Sequence, residues 1–177
     1  MSDTNITFSE TQSFSLSWLW VILFLAVIPG VLLMLYGMLQ QLVYGVPFGS
    51  QPMPDGVLIA TGLFALSVLG LLVWLFWKSS LVIEVREDEL YVKYFPFLTR
   101  HFRYEDIMSC QMREYNPLLE FGGWGVRYNF RTWVYNVSGN KGVQLTFRER
   151  TPLLLGSLRS EELEAAISAK CKQAREK

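Results

Sequence analysis

Residues 56–77 read GVLIATGLFALSVLGLLVWLFW, and after a short KSS the chain changes to LVIEVRE at residues 81–87. The first stretch carries no charge. As a helix it rises about 33 Å, enough to cross a hydrocarbon core ~30 Å thick. The second stretch alternates, with Leu81, Ile83 and Val85 on one side and Val82, Glu84 and Arg86 on the other. Period-two alternation predicts a half-buried strand. The chain therefore changes solvent near residue 78.

Upstream, residues 18–39 (WLWVILFLAVIPGVLLMLYGML) form a second uncharged run. Two such runs are too apolar to be buried by the remaining chain, so the sequence predicts a membrane α-helical hairpin, with spans 18–39 and 56–77 inside residues 18–77. A cleaved signal peptide fits poorly, because a basic n-region is missing and the run is too long. Residues 1–17 read as a polar N-terminal tail. Pro29-Gly30 predicts a kink, and Ala26, Gly30, Gly37, Gly62 and Gly70 offer small surfaces for close helix approach. Trp18, Trp20, Trp74 and Trp77 suit one membrane interface, Tyr44 and Phe48 the other. Without ionisable groups inside the spans, the hairpin reads as an anchor, since ion and proton paths rely on such groups.

The net charge is zero, but residues 1–77 contain no Lys or Arg, and residues 78–177 hold all 16 basic residues. Lys78, Arg86 and Lys93 follow the second span, which places residues 78–177 on the cytoplasmic side of an inner membrane, with both termini there. Two distant cysteines, Cys110 and Cys171, match no metal framework and read as reduced thiols.

Residues 78–177 read as strands followed by one helix. LYVKYF (90–95) is a second strand, HFRYEDI a connection, and IMSCQMREY (107–115) a third strand with Met108, Cys110 and Met112 on one face. VRYNF places Val126, Tyr128 and Phe130 on one face, and Arg127, Asn129 and Arg131 on the other. TWVYNV and VQLTFRE flank the turn SGNKG and read as a hairpin. TPLLLGS is a last short strand. Ser160 then offers an N-cap to EELEAAISAKCKQAR, whose Leu163, Ala166, Ile167, Cys171 and Ala174 make one apolar stripe. These elements predict a mainly-β domain: a seven-strand antiparallel barrel or two-sheet sandwich capped by a C-terminal helix.

With RYEDI before the third strand, this layout resembles bacterial pleckstrin-homology-like membrane proteins. YNPLLEFGGWGVRY, YNVSGNKGVQL and LLLGSLRSEELEAAI resemble the signature of one uncharacterised bacterial family with two transmembrane helices. The resemblance implies a pleckstrin-homology-like domain used for binding and assembly, and no particular reaction.

The chemistry of the residues agrees with binding. GxSxG, HExxH, P-loop and GxGxxG patterns are missing, and His101 stands alone, so neither catalysis nor a cofactor or metal is expected. Nucleic acid is not an expected partner, because the basic excess of the domain is small. The expected function is a membrane-anchored binding or scaffold module. Its partners are the bilayer and a membrane or cytoplasmic protein, with homo-oligomerisation left open. Candidate contact residues are Trp124, set among Gly122, Gly123 and Gly125, together with Arg127 and Arg131. Trp124 reads either as a plug over a barrel end or as a partner contact. The alternatives are an unrecognised enzyme site at Trp124/Arg127, and a basic patch (Arg100, Arg103, Arg113, Arg127, Arg131, Lys141, Arg148, Arg150) for anionic lipid headgroups.

Overall fold

A computed structural model describes residues 6–13 and 17–176, and for residues 17–20, 22 and 23 the backbone only. The chain divides into two compact units, Met1–Ser15 with Trp77–Lys177, and Leu16–Phe76.

The helical unit holds α1 (Ser17–Met38), continued by a π-helical turn over Leu39–Val43, and α2 (Asp55–Lys78). Both are long and apolar enough to cross a membrane, and only 6% of each apolar window is buried within the protein. A core helix of a soluble domain would bury far more. Pro29 lies inside α1, which continues past it. Gly62 is the point of close approach: a Cβ there would sit 3.1 Å from the Met38 sulfur. Gly37 makes room for the Phe48 ring, whereas Gly30 and Gly70 meet no close neighbour among the described residues. The connection is tied down by Gln41, whose Nε2 donates to the Met53 carbonyl (2.6 Å) and to Asp55 Oδ1 (2.8 Å). Trp74 and Trp77 are exposed, and the side chains of Trp18 and Trp20 lie outside the described residues.

The β unit has two open sheets, not a closed barrel, and nine strands among the described residues. The first sheet runs in the order β1 (Phe8–Ser13), β2 (Ser80–Val85), β3 (Glu89–Phe95), β4 (Leu98–Arg103), antiparallel throughout. The second contains β5 (Ile107–Glu114), β6 (Gly125–Tyr128), β7 (Trp133–Asn136), β8 (Lys141–Phe147) and β9 (Leu153–Gly156), in the order β5-β8-β9-β7-β6. Leu81, Ile83, Leu90 and Val92 from the first sheet share one core with Val143, Leu145, Leu153 and Leu155 from the second. Helix α4 (Ser160–Arg175) adds Leu163, Ile167 and Cys171 to it.

Several sequence readings change. Residues 8–13 are a strand rather than part of a polar tail, with Ser9 opposite Glu84 and Ser13 opposite Ser80. Its inward residues are Phe8, Glu10 and Gln12. Glu10 accepts from the Leu158 N–H (2.9 Å) and the Ser157 hydroxyl, and Gln12 Nε2 donates to the Gly156 carbonyl (2.9 Å). Buried polar groups need such partners, and here they satisfy the backbone that leads into α4. The helical unit is thus inserted between two paired strands.

Second, Leu98–Arg103 is an edge strand that takes in His101–Arg103 of the expected connection, and a 3-10 turn (Tyr104–Asp106) follows. Third, β7 and β8 do not form a hairpin. β9 lies between them, parallel to β7 and antiparallel to β8. All four of its residues are buried, Leu153 and Leu155 in the main core and Leu154 in a second cluster with Tyr115, Phe121 and Val134. A continuous apolar run is what a strand covered on both faces requires. Fourth, Met108 and Met112 are exposed: Met108 falls where the β5 register shifts between Ile107 and Ser109, while Met112 stays on the face of Cys110, opposite Val143. Cys110 is half-buried beside α4, and burial pushes its thiol up to about 12. A thiol so protonated at neutral pH is a weak nucleophile. Ser160 opens α4, while Arg159 takes the cap position without a side-chain cap bond.

Candidate functional site

The stretch around residues 116–133 is built by local rules. Asn116 Oδ1 accepts from the N–H groups of Leu118 and Leu119 (both 3.1 Å) and so caps the short helix α3 (Pro117–Phe121). Pro117 opens that helix, and Gly122, with φ 70°, ends it. Pro just inside the start and Gly just past the end is the usual asymmetry of a helix.

Trp124 does not cover a barrel end. It is half-buried, and its Nε1 donates to the Gly139 carbonyl (3.1 Å), tying this loop to the turn before β8. Asn136 fixes the start of β6. It is fully buried, accepts from the Gly125 N–H (2.9 Å) and donates to the Tyr115 hydroxyl (2.9 Å). Room for it exists because Gly156 lacks a Cβ, which would stand 2.6 Å from the Asn136 Cβ.

The β6–β7 hairpin grows from this base. Tyr128 and Trp133 are register partners, and their rings stack at 4.8 Å. Alternation stops at Asn129, whose Oδ1 accepts from the N–H groups of Arg131 (3.2 Å) and Thr132 (2.9 Å). Phe130 sits at the tip with φ 65° and is 90% exposed, so it does not share the half-buried setting of Val126. An L-residue in the left-handed region is strained by about 1–2 kcal/mol. Asn129 Nδ2 also donates to the Glu120 carbonyl (3.4 Å), which brings the tip beside α3 and its exposed Leu118 and Leu119.

Arg127 and Arg131 are both exposed and flank this tip. Arg127 Nε donates to the Trp124 carbonyl (3.3 Å), so the structure links two of the three predicted contact residues directly and sets the third in the same hairpin. The wider basic set splits. Arg113 pairs with Glu120 and Lys141 with Glu114, whereas Arg100, Arg103, Arg127, Arg131, Arg148 and Arg150 have no carboxylate partner among the described residues. His101 is held by Glu89 (2.8 Å) and the Tyr91 ring, a structural setting. A cleft of about 480 Å³ opens beside the hairpin, floored by Phe102 and Phe147 and bordered by Trp133, Arg100 and Arg150. Among the described residues no three His, Cys, Asp or Glu side chains gather to hold a metal.

Sequence reasoning missed Phe130, the Tyr128–Trp133 stack and Asn136. The signal for the tip was the Asn129 that precedes Phe130, since Asn closes such turns through its own side chain. Replacing Phe130 by Gly is expected to raise the thermal midpoint of the β unit by a few degrees. It releases about 1–2 kcal/mol of strain, and the chain entropy of glycine takes back ~0.5–1 kcal/mol. A thermal melt that instead falls shows that the tip is not strained.

Fold and site define a β-rich module with two apolar helices inserted after its first strand, and with a rigid aromatic and cationic tip. The chain belongs to the DUF6141 family, a family of unknown function, whose family model matches residues 1–150. That match takes in β1, both long helices and the tip, and ends before β9 and α4. No curated protein and no solved structure matches the chain.

Proposed function

We propose that this protein is a membrane-anchored, non-catalytic binding module whose contact surface is the β6–β7 hairpin with Trp124, Arg127 and Arg131. The observation that carries the reading is the hairpin itself: stacked aromatic rings and two arginines without carboxylate partners, held rigidly at an exposed position. Aromatic residues and arginines are the residue types that dominate contact energetics. Two sheets of mostly antiparallel strands with a C-terminal helix in their core favour the pleckstrin-homology-like class. Under this reading α1 and α2 cross an inner membrane as a hairpin, and the β unit and both termini lie at its cytoplasmic face. The lack of Lys and Arg before residue 78 supports that orientation. Pairing of β1 with β2 supports it too, because it returns both ends of the helical segment to one sheet.

The test is crosslinking in native membranes, scoring protein and lipid products together. An Arg127→Gln/Arg131→Gln variant should fold normally and lose most of the wild-type products. A folded variant that keeps them all contradicts the reading.

A further inference from the structure

We infer that the occupant of this surface is the anionic surface of the bilayer, with Phe130 as an inserted wedge. The inference rests on the reading of the hairpin as a contact surface and names its partner. Three observations carry it.

The first is the display of Phe130. Gly or Asn would occupy φ 65° with less strain, yet a large apolar ring stands there, 90% exposed. The Asn129 side chain locks the turn backbone, and the Phe130 ring, its centroid 6.0 Å from that of Tyr128, stays 90% exposed. Strain retained at an exposed site points to a use for the side chain.

The second is composition. Tyr128 and Trp133 form the stem, each exposed at 45% and 39%, and Leu119 on the adjoining α3 is 85% exposed. Apolar bodies with polar tips suit the headgroup layer, where one end of a ring is dry and the other wet. Arg127 and Arg131 flank the crest, and neither has a carboxylate partner among the described residues. A guanidinium binds phosphate oxygens in a planar, two-pronged way.

The third is the tether. One residue separates the end of α2 at Lys78 from β2 at Ser80, and three separate Ser13 of β1 from Ser17 of α1. Short links to helices that span a bilayer keep the local concentration of lipid headgroups high, so a weak wedge suffices. Cationic flanks favour anionic headgroups over zwitterionic ones.

The experiment places the photoreactive p-benzoyl-phenylalanine at Phe130 in the full-length chain. The protein is examined in nanodiscs of phosphatidylcholine, in nanodiscs with added phosphatidylglycerol, and in native membranes, with Glu87 in the exposed β2–β3 turn as control position. Adducts are identified by mass. The expected result is lipid adducts at position 130, about tenfold more abundant with phosphatidylglycerol. In the Arg127→Gln/Arg131→Gln background this excess should vanish, and the control should gain none. Equal lipid labelling in both nanodisc types overturns the anionic preference and with it the inference. Protein adducts in place of lipid adducts overturn the bilayer as occupant, while the hairpin remains a contact surface. Absence of adducts in all three settings overturns both readings.

Discussion

Replacing residues 8–13 by a Gly-Ser stretch of equal length should unfold the β unit. Phe8 is 6% exposed, and burying such a ring contributes about 2–3 kcal/mol. Glu10 receives one backbone N–H and one hydroxyl, and bonds to a charged group contribute about 1.5–3 kcal/mol each. Loss of the strand also bares the edge of β2 and leaves the backbone at residues 156–158 without these partners. Together these terms approach a whole domain's stability of roughly 5–15 kcal/mol. Limited proteolysis of the purified protein should show rapid cleavage within residues 80–176. Unchanged resistance would mean that β1 is dispensable, contrary to the fold described above.

Gly142→Ala should be the most damaging single-atom change. Gly142 lies on β8 between Arg113 of β5 and Gly156 of β9. An added Cβ would overlap the Leu155 carbonyl oxygen and approach the Leu155 carbonyl carbon to 3.0 Å and the Gly156 Cα to 3.1 Å. All three atoms are backbone of a strand buried on both faces, so no side chain can swing away. Overpacking of this kind costs about 3 kcal/mol or more, which lowers the thermal midpoint by more than about 10 °C in a domain of this size. A drop of only one or two degrees would show that β8 and β9 are not paired in this register.

The two long helices were legible in the sequence as uncharged runs long enough to cross a bilayer, and the strands β2 and β3 by their period of two, since one face of each meets the core. β1 was not. Its inward residues include Glu10 and Gln12, and a period rule expects apolar side chains there. They face inward because backbone from another part of the chain needs their polar atoms. The position of β9 was open for a different reason. Its leucine run announces burial on both faces, but its pairing with β7 and β8 is non-local and leaves no short-range signal. At the site, an aromatic among glycines beside a cation drew attention to Trp124, Arg127 and Arg131. Alternation then carried Phe130 onto the face of Val126, whereas the turn closed by Asn129 holds it 90% exposed at the tip.

Glutamine at Arg127 and Arg131 removes charge without removing an ion pair found among the described residues; it also removes the Arg127 Nε bond to the Trp124 carbonyl, so a thermal melt of the variant separates contact from folding. Phe130→Gly is expected to act on both with opposite signs: stability should rise while the proposed membrane contact should fall. Such a split separates a displayed side chain from a structural one.

In the proposed topology the two long helices cross a membrane and return β1 and β2 to one face. Single cysteines at Thr7, Ser50 and Glu176, all exposed, in a background with Cys110 and Cys171 replaced, test this directly in intact cells and inverted vesicles. An impermeant thiol reagent should label Ser50→Cys only in intact cells, and Thr7→Cys and Glu176→Cys only in inverted vesicles. Labelling of Thr7→Cys and Glu176→Cys from opposite faces would contradict the account.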